Sequence, residues 1–154
     1  MPIKPSFNIN EAHVYFSTRS FNTTWRYIEQ PGRRSTEEDM AMLHTAIVSL
    51  WHWTQREDVK HENLSVGYWQ VSRVYNLIRQ PHNARTYGLL SLKHARELEP
   101  FFKAYAYETL ARAEMLADNR VIMLVYLEKA CRMTELVADE ECKRLLLRDL
   151  ASIL

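Results

Sequence analysis

The chain has 154 residues, of which 47% are hydrophobic and 25% charged, a composition typical of one globular domain. Its 20 basic and 19 acidic residues nearly cancel, so charge gives no reason to expect binding to nucleic acid or an anionic membrane. No apolar run approaches the ~18 residues of a membrane-spanning helix, and the N-terminal stretch lacks the apolar core of a secretory signal. We therefore expect a cytoplasmic protein without nucleic-acid or membrane partners.

Helical signals run through the whole chain. Alternating β-type patterns are absent, and three glycines and five prolines leave few breaks, so the periodicity predicts an all-α fold. The first predicted helix starts at Asn10 and Glu11 and ends before Pro31. The stretch "STEED" at 35–39 then supplies an N-cap and an acidic first turn for the second helix, where the helix dipole favours acidic side chains.

Later helices are marked by caps and by prolines in the first turn. Asn63, Pro81, Pro100 and Asp139 stand at the predicted starts. Three of the helices are predicted to cover about 64–80, 82–98 and 120–137. We predict a single domain, 1–154. It consists of a helical hairpin at 10–57, two repeat-like hairpins at 63–98 and 101–137, and a C-terminal capping helix at 139–153.

One face of the second helix carries a clear apolar stripe. Its members are predicted to face the core: Leu43, Ala46, Ile47, Leu50, Trp51 and Thr54. The stretch "LWHWTQRED" (50–58) continues this stripe, so we predict that Trp51 is buried as an aromatic plug. Polar groups beside it are expected to face the first helix near Asn22: His44, His52 and Gln55. This polar seam is either an internal brace or the floor of a small pocket.

An internal repeat indicates which all-α architecture to expect. Sliding the chain by 39 residues aligns "YWQVSRVYNL" (68–77) with "YETLARAEML" (107–116). The alternation of large and small residues over about 63–137 resembles the tetratricopeptide repeat (TPR). The interval exceeds the usual 34 residues, and Glu114 stands where an aromatic residue is expected, so the pattern is TPR-like rather than a strict TPR.

A second resemblance covers nearly the whole chain. The stretches "EAHVYFSTRSFNTTWRYIEQPGRRSTEEDMAMLHTAIVSLWHWTQ", "GYWQVSRVY" and "AYAYETLARAEMLAD" resemble a family of uncharacterised bacterial TPR-like proteins. The resemblance implies about seven helices in stacked antiparallel hairpins, forming a right-handed α-superhelix, and it implies no activity. Family members tend to carry a further histidine where this chain has Ile47, so a histidine-pair metal site is not implied.

Motifs that carry chemistry are missing from the sequence. There is no Glu-x-x-His, His-Glu-x-x-His or Gly-x-Ser-x-Gly motif and no glycine-rich phosphate loop. The two cysteines, Cys131 and Cys142, form no metal-type or disulfide pattern. We therefore predict no catalytic residues, no metal site and no cofactor.

A candidate binding constellation lies on the first helices of the two repeats. Trp69 and Arg73 are one turn apart on one face, and so are Glu108 and Arg112. In TPR-like folds this face lines the concave groove, where arginine suits carboxylate or phosphate and tryptophan supplies apolar contact. The alternative is an Arg–Glu ladder that crosslinks hairpins and binds nothing. The predicted groove residues are Trp69, Arg73, Asn76, Tyr105, Glu108 and Arg112.

Two functional hypotheses follow from these observations. The first is an interaction module, an adaptor or regulatory subunit, that binds a protein or peptide partner or a second copy of itself as a homodimer. The second is a small-molecule-binding protein or enzyme with a polar pocket between the first two helices. The residues predicted for that alternative pocket are His13, Asn22, Trp25, His44, His52 and Gln55.

Overall fold

The computed structural model describes residues 3–154. This part of the chain contains seven α-helices, joined by short loops, and no strand. In chain order they are α1 (Ile9–Ile28), α2 (Thr36–Gln55), α3 (His61–Leu77), α4 (Pro81–Ala95), α5 (Pro100–Leu116), α6 (Arg120–Glu135) and α7 (Glu140–Ala151). The prediction of an all-α fold with seven helices is confirmed. Within residues 3–154, no helix combines the length and apolar character needed to cross a membrane.

Helix starts follow the capping chemistry of the sequence. Ser35 forms a capping box for α2: its hydroxyl accepts from the Glu38 N–H at 3.1 Å, and its own N–H donates to Glu38 Oε2 at 2.7 Å. Asp139 caps α7 by accepting the N–H three residues on, at 2.8 Å. Helix α1 starts slightly earlier than predicted because Asn8, rather than Asn10, is its N-cap.

Helix α3 is shifted towards the N-terminus relative to the predicted range 64–80. Asn63, predicted as its cap, lies inside the first turn, where its Oδ1 accepts from the Lys60 N–H at 3.0 Å. At the other end the helix stops at Leu77, because Arg79 adopts a left-handed conformation with φ of 60°. A left-handed residue cannot continue a right-handed helix.

The 39-residue interval of the sequence recurs in the backbone. Arg79 after α3 and Asp118 after α5 are both left-handed, with φ of 60° and 57°. The residues that follow, Gln80 and Asn119, each donate their N–H to the carbonyl five residues back, at 2.8 and 2.9 Å. Helices α3 and α5 therefore end with the same turn geometry at equivalent positions.

Pairs of consecutive helices form the scaffold. Helix α1 packs on α2, α3 on α4, and α5 on α6, while α2–α3, α3–α5 and α4–α5 contacts join successive pairs, and α7 packs on α5 and α6. One apolar core lies between α2 and α3 and contains Met42, Leu43, Ala46, Leu50, Val71 and Val74. A second cluster, between α5, α6 and the C-terminal end, contains Ala111, Met123, Leu127, Ala130, Leu150 and Ile153.

A glycine sets how closely α4 approaches α3 and α5. A Cβ atom on Gly88 would lie 2.8 Å from Leu110 Cδ2, closer than real Cβ contacts, and 3.3 Å from Ser72 Oγ, which is tighter than most of them. The Ser72 hydroxyl also donates to the Ala84 carbonyl at 2.7 Å, which links α3 to α4. Small residues at this joint therefore bring three helix axes close together.

The prediction for Trp51 is wrong: 54% of this residue is exposed. Leu43, Ala46 and Leu50 are buried as predicted, but Ile47 is 36% exposed and Thr54 is also exposed. The apolar stripe is wider than the arc of α2 that α1 and α3 cover. Because this pair of helices stands at one end of the stack, the remaining arc faces solvent.

Candidate binding groove

A cavity of about 440 Å³ opens among α1, α3, α5 and α7. Much of its wall is aromatic, and the rings come from three of these helices: Phe21, Trp25, Trp69, Phe101, Phe102 and Tyr105. Leu145 closes the α7 side, and the polar residues that line the cavity are Glu29, Ser65, Ser91, Arg148 and Asp149. Concave, largely apolar sites with a few polar groups are the usual form of ligand sites in proteins. We call this cavity the aromatic groove.

The rings of the aromatic groove form a connected wall. Trp25 and Trp69 have ring centroids 5.8 Å apart, and the centroids of Trp69 and Tyr105 are 5.2 Å apart in an edge-to-face arrangement. Phe101 continues the wall at 5.1 Å from Tyr105. On α1 and α5 the rings stand one helical turn apart, Phe21 before Trp25 and Phe101 before Tyr105, which places each pair on one face. Edge-to-face packing holds the rings in defined positions.

Below this wall a buried ion pair joins three helices. Glu108 on α5 is 1% exposed; its Oε1 pairs with the Arg112 Nε–H one turn on, and its Oε2 accepts from Trp69 Nε1–H at 3.3 Å. Arg112 also donates from Nη2 to the Asp149 carbonyl and to Ser152 Oγ, both at 2.7 Å. The C-terminal turn of α7 therefore covers Arg112, while the groove beside Trp69 stays open.

Tyr105 and Asp149 connect α5 to α7 at the groove wall. The Tyr105 hydroxyl donates to Asp149 Oδ2 at 3.0 Å, and Asp149 Oδ1 accepts from Arg148 Nη2 at 3.1 Å. Burial, with the Asp149 carboxylate as the next cause, raises the pKa of Tyr105 well above its ordinary value. Tyr105 therefore stays a neutral hydrogen-bond donor.

The Arg73 guanidinium differs from its neighbours in having no partner. Among residues 3–154 no hydrogen bond or ion pair to this group occurs, although Arg112, Glu108 and Asp149 lie within electrostatic range. Burial, followed by repulsion from Arg112, lowers the pKa of Arg73 below its ordinary value. Arg73 is thus a half-buried cation one helical turn after Trp69 on α3, which Glu108 and Asp149 attract and Arg112 repels.

Five of the predicted groove residues come together. Trp69 and Tyr105 line the cavity; Glu108 joins Trp69 to Arg112 by hydrogen bonds, and Arg73 lies within electrostatic range of that pair. Glu108 and Arg112 form an ion pair within α5, and the cavity beside Trp69 and Tyr105 is open, so the groove and the internal link both stay predictions.

The sixth predicted groove residue, Asn76, lies in the interior. It is 6% exposed, and its Nδ2 donates to the Thr109 carbonyl at 3.1 Å and to Thr109 Oγ1 at 3.0 Å. Its buried Oδ1 has no hydrogen-bond partner in the described part of the chain. Asn76 therefore crosslinks α3 to α5 and does not line the groove.

The structure does not assemble the alternative pocket. Asn22, His44 and Gln55 are exposed, and Trp25 lines the aromatic groove on another side of α1. Of the set, only His13 and His52 meet, with 2.8 Å between their Nδ1 atoms. The prediction that a polar seam faces Asn22 is wrong.

Helix register explains that error. Small side chains fill the contact between α1 and α2: Ser49 Oγ donates to the Ser17 carbonyl at 2.7 Å, and Thr24 Oγ1 donates to Thr45 Oγ1 at 2.9 Å. These contacts leave no room for a seam of larger polar groups. They also place the C-terminal end of α2 opposite the start of α1, so the partner of His52 is His13.

A second histidine pair links α3 to α4. His61 Nδ1 lies 3.0 Å from His94 Nδ1, and neither pair has a third ligand nearby. Across residues 3–154, no group of three or more His, Cys, Asp or Glu side chains is placed to hold a metal ion. In each pair one neutral imidazole donates its N–H to the other, an arrangement that double protonation would break.

We expect stability to fall as the pH drops below about 6.5, the ordinary histidine pKa. Burial first, and the facing histidine second, lower the pKa of His52 and of His94, with Lys93 also acting on His94. The unfolded chain therefore takes up protons that the folded chain resists, so stability present above this pH is lost on acidification. Urea denaturation between pH 7.5 and 5 measures the slope, which the double variant H52Q/H94Q should flatten. An unchanged slope in that variant would assign the effect to other groups.

Several groove residues were not foreseen from the sequence: Phe21, Phe101, Phe102 and Asp149. The i,i+4 spacing of Phe21 with Trp25 and of Phe101 with Tyr105 is a signal that could have indicated the first two, whereas Phe102 and Asp149 have no such signal. No family model, curated protein or solved structure matches this chain at a significant level.

Proposed function

We propose that the chain is a TPR-like interaction module, with its hairpins arranged as a right-handed superhelix, acting in the cytoplasm as an adaptor or regulatory subunit. Its aromatic groove binds a segment of a protein or peptide partner. The observation that carries this proposal is the connected aromatic wall, which is fixed by neighbouring rings and left open to a ligand. The repeat and the family resemblance of the sequence support it.

The polar groups at the groove favour binding over catalysis. A general base must come within hydrogen-bond reach of its substrate. Glu108 is 1% exposed and accepts from Trp69 and Arg112, and the Asp149 carboxylate accepts from Tyr105 and Arg148. These carboxylates hold the groove wall in place, and the aromatic surface provides the contact area for a ligand.

A small-molecule-binding protein is the second candidate. Its support is the cavity volume of about 440 Å³, which lies in the range of small-molecule sites. Native mass spectrometry of gently purified protein tests it, because a stoichiometric extra mass would favour this candidate. The same spectrum reports the oligomeric state, which bears on homodimer formation through exposed apolar residues of α1 and α2: Val14, Tyr15, Phe16, Ile47, Val48 and Trp51.

Peptides selected from a display library against the whole protein should bind the aromatic groove. We expect W25A to weaken their binding at least about tenfold, because a buried tryptophan at an interface commonly contributes about 2 kcal/mol or more. Fluorescence anisotropy of labelled peptides measures the change. W51A is the matched control, since Trp51 is exposed outside the groove and its loss should leave affinity unchanged. Equal affinities for wild type and W25A, or a selection without enriched peptides, would contradict the proposal.

A further inference from the structure

The solvent side of α2 is unusual for a surface helix. No Asp, Glu, Lys or Arg occurs between Asp39 and Arg56, although the exposed side of such a helix normally carries charged residues. One side of this stretch is exposed, at helical spacing: Met40, His44, Ile47, Val48, Trp51, Thr54 and Gln55. Helix α2 therefore presents an uncharged and largely apolar stripe to solvent.

Two aromatic residues of α1 extend this stripe. The ring centroids of Phe16 and His52 lie 5.4 Å apart, and Tyr15 packs edge-to-face on Phe16 with 5.1 Å between centroids. Both rings are exposed. The Arg19 guanidinium, 5.8 Å from the centroid of the Tyr15 ring, brings a charge to the border of the apolar area. We call the stripe and these two rings together the α2 outer face.

The α2 outer face is large enough for a stable interface. Six large apolar side chains in it are 36–54% exposed: Tyr15, Phe16, Met40, Ile47, Val48 and Trp51. At about 200 Å² each, they leave roughly 500 Å² of apolar surface in water, and apolar patches of this size often mark interaction sites. The exposed polar residues of the stripe bring the face to about 800 Å², the area that each partner buries in a standard interface.

The composition of this face favours a second copy of the chain as its partner. An uncharged surface gives a partner of opposite charge nothing to complement, but it can meet itself without repulsion. In a two-fold symmetric contact, residues at equal distances on either side of the axis meet each other. The stripe is centred between Ile47 and Val48. Antiparallel pairing about that point places His44 of each copy opposite Trp51 of the other, so a ring meets a ring.

We propose that the chain forms a two-fold symmetric homodimer through the α2 outer face, with the α2 helices of the two copies packed antiparallel. Asp39 and Arg56, which flank the uncharged stretch, then lie at the rim, where interfaces are usually polar. Among the described residues that line the aromatic groove, none belongs to α2. The dimer therefore leaves two grooves open, and self-association and groove binding can each fail without the other.

Sedimentation equilibrium of the whole protein tests the dimer. We expect the wild type to be mainly dimeric at about 50 μM, because interfaces of this size have dissociation constants of about 1 μM or lower. V48E should raise the dissociation constant at least about 100-fold, since it sets two carboxylates against each other near the axis. A wild type that is monomeric at this concentration would overturn the proposal and leave the α2 outer face to a different protein.

An apolar residue on α6 provides the matched control. Leu124 is 46% exposed and Val48 is 41% exposed, so L124E adds the same charge at a similarly exposed position. L124E should leave the dimer intact. Dissociation by L124E and not by V48E would place the contact between copies on α6 and overturn the proposal.

A mixture of V48E and V48K separates the pairing of two α2 helices from a loss of fold. Each variant alone should be monomeric, because like charges meet near the axis. Equal amounts mixed together should form a dimer, since a carboxylate then faces an ammonium group. A misfolded chain, or a contact elsewhere on the surface, would give no such recovery. Absence of a dimer in the mixture would therefore overturn the antiparallel pairing of α2.

Discussion

Replacing Glu108 by glutamine is expected to destabilise the protein by about 3 kcal/mol or more at pH 7. The change keeps the side-chain shape but leaves the buried Arg112 guanidinium without its carboxylate, and breaking a buried ion pair commonly costs about 3–5 kcal/mol. The Glu108 side chain is 1% exposed and the Arg112 side chain 9%, so water cannot replace the lost interaction. Chemical denaturation followed by circular dichroism measures the loss.

The chain contains a matched control for this result. Glu128 and Arg132 on α6 form an ion pair with the same i,i+4 spacing, but their side chains are 62% and 70% exposed. E128Q should therefore change stability by no more than about 0.5 kcal/mol. Similar losses for E108Q and E128Q would show that burial does not decide the strength of these pairs.

Features that depend on neighbouring residues were predictable from the sequence. Helix starts depend on a few consecutive residues. Ser35 and Asp139 satisfy backbone N–H groups of α2 and α7, and the prolines in the first turns of α4 and α5 stand where an N–H would have no partner in the helix. The 39-residue interval was equally visible, and it reappears in the turns that contain Arg79 and Asp118. Helix number and class follow from such signals.

Burial on α2 was harder to predict, because periodicity identifies the apolar face of a helix but not how much of that face the neighbouring helices bury. Trp51 follows the apolar spacing of Leu43 and Leu50, yet it is 54% exposed, with His13 of α1 against one edge of its ring at 5.4 Å between centroids. The partner of His52 likewise depends on the register of α1 against α2, which small side chains such as Ser17 and Ser49 set. The periodicity of a sequence shows neither which helix covers a residue nor the register of one helix against another.

Residues of the aromatic groove were likewise predicted only in part. Trp69, Arg73, Glu108 and Arg112 lie on equivalent faces of repeated helices, so the repeat alone brought them together. Asp149 comes from α7, outside the repeat, and its contact with Tyr105 depends on how the last helix folds back. Long-range contacts of this kind have no local sequence signal.

Replacing Arg85 by methionine is the second change for which we expect a large effect, about 3 kcal/mol at pH 7. Arg85 on α4 donates from Nη2 to Glu114 Oε2 at 3.0 Å and from Nε to Oε1 at 2.5 Å, and Glu114 is only 3% exposed at its side chain. Without Arg85 this carboxylate would stay buried with Asn119 Nδ2–H, at 2.9 Å, as its main donor. This ion pair joins α4 to α5 at Glu114, the position where the resemblance to the TPR led us to expect an aromatic residue.

The effect of R85M should depend on pH in a defined direction. Hydrogen bonding to Arg85 is the main cause that lowers the pKa of Glu114 in the wild type, so the pair contributes stability above pH 4.5 that is lost as the pH falls below it. In R85M burial acts without this compensation and favours the neutral acid. The stability gap between wild type and R85M should therefore narrow between pH 7 and pH 4, and R85M/E114Q should recover much of the loss at pH 7. Chemical denaturation at both pH values measures the stability difference between wild type and R85M. A difference that stays constant would mean that Arg85 stabilises the contact of α4 with α5 through packing of its aliphatic chain rather than through its charge.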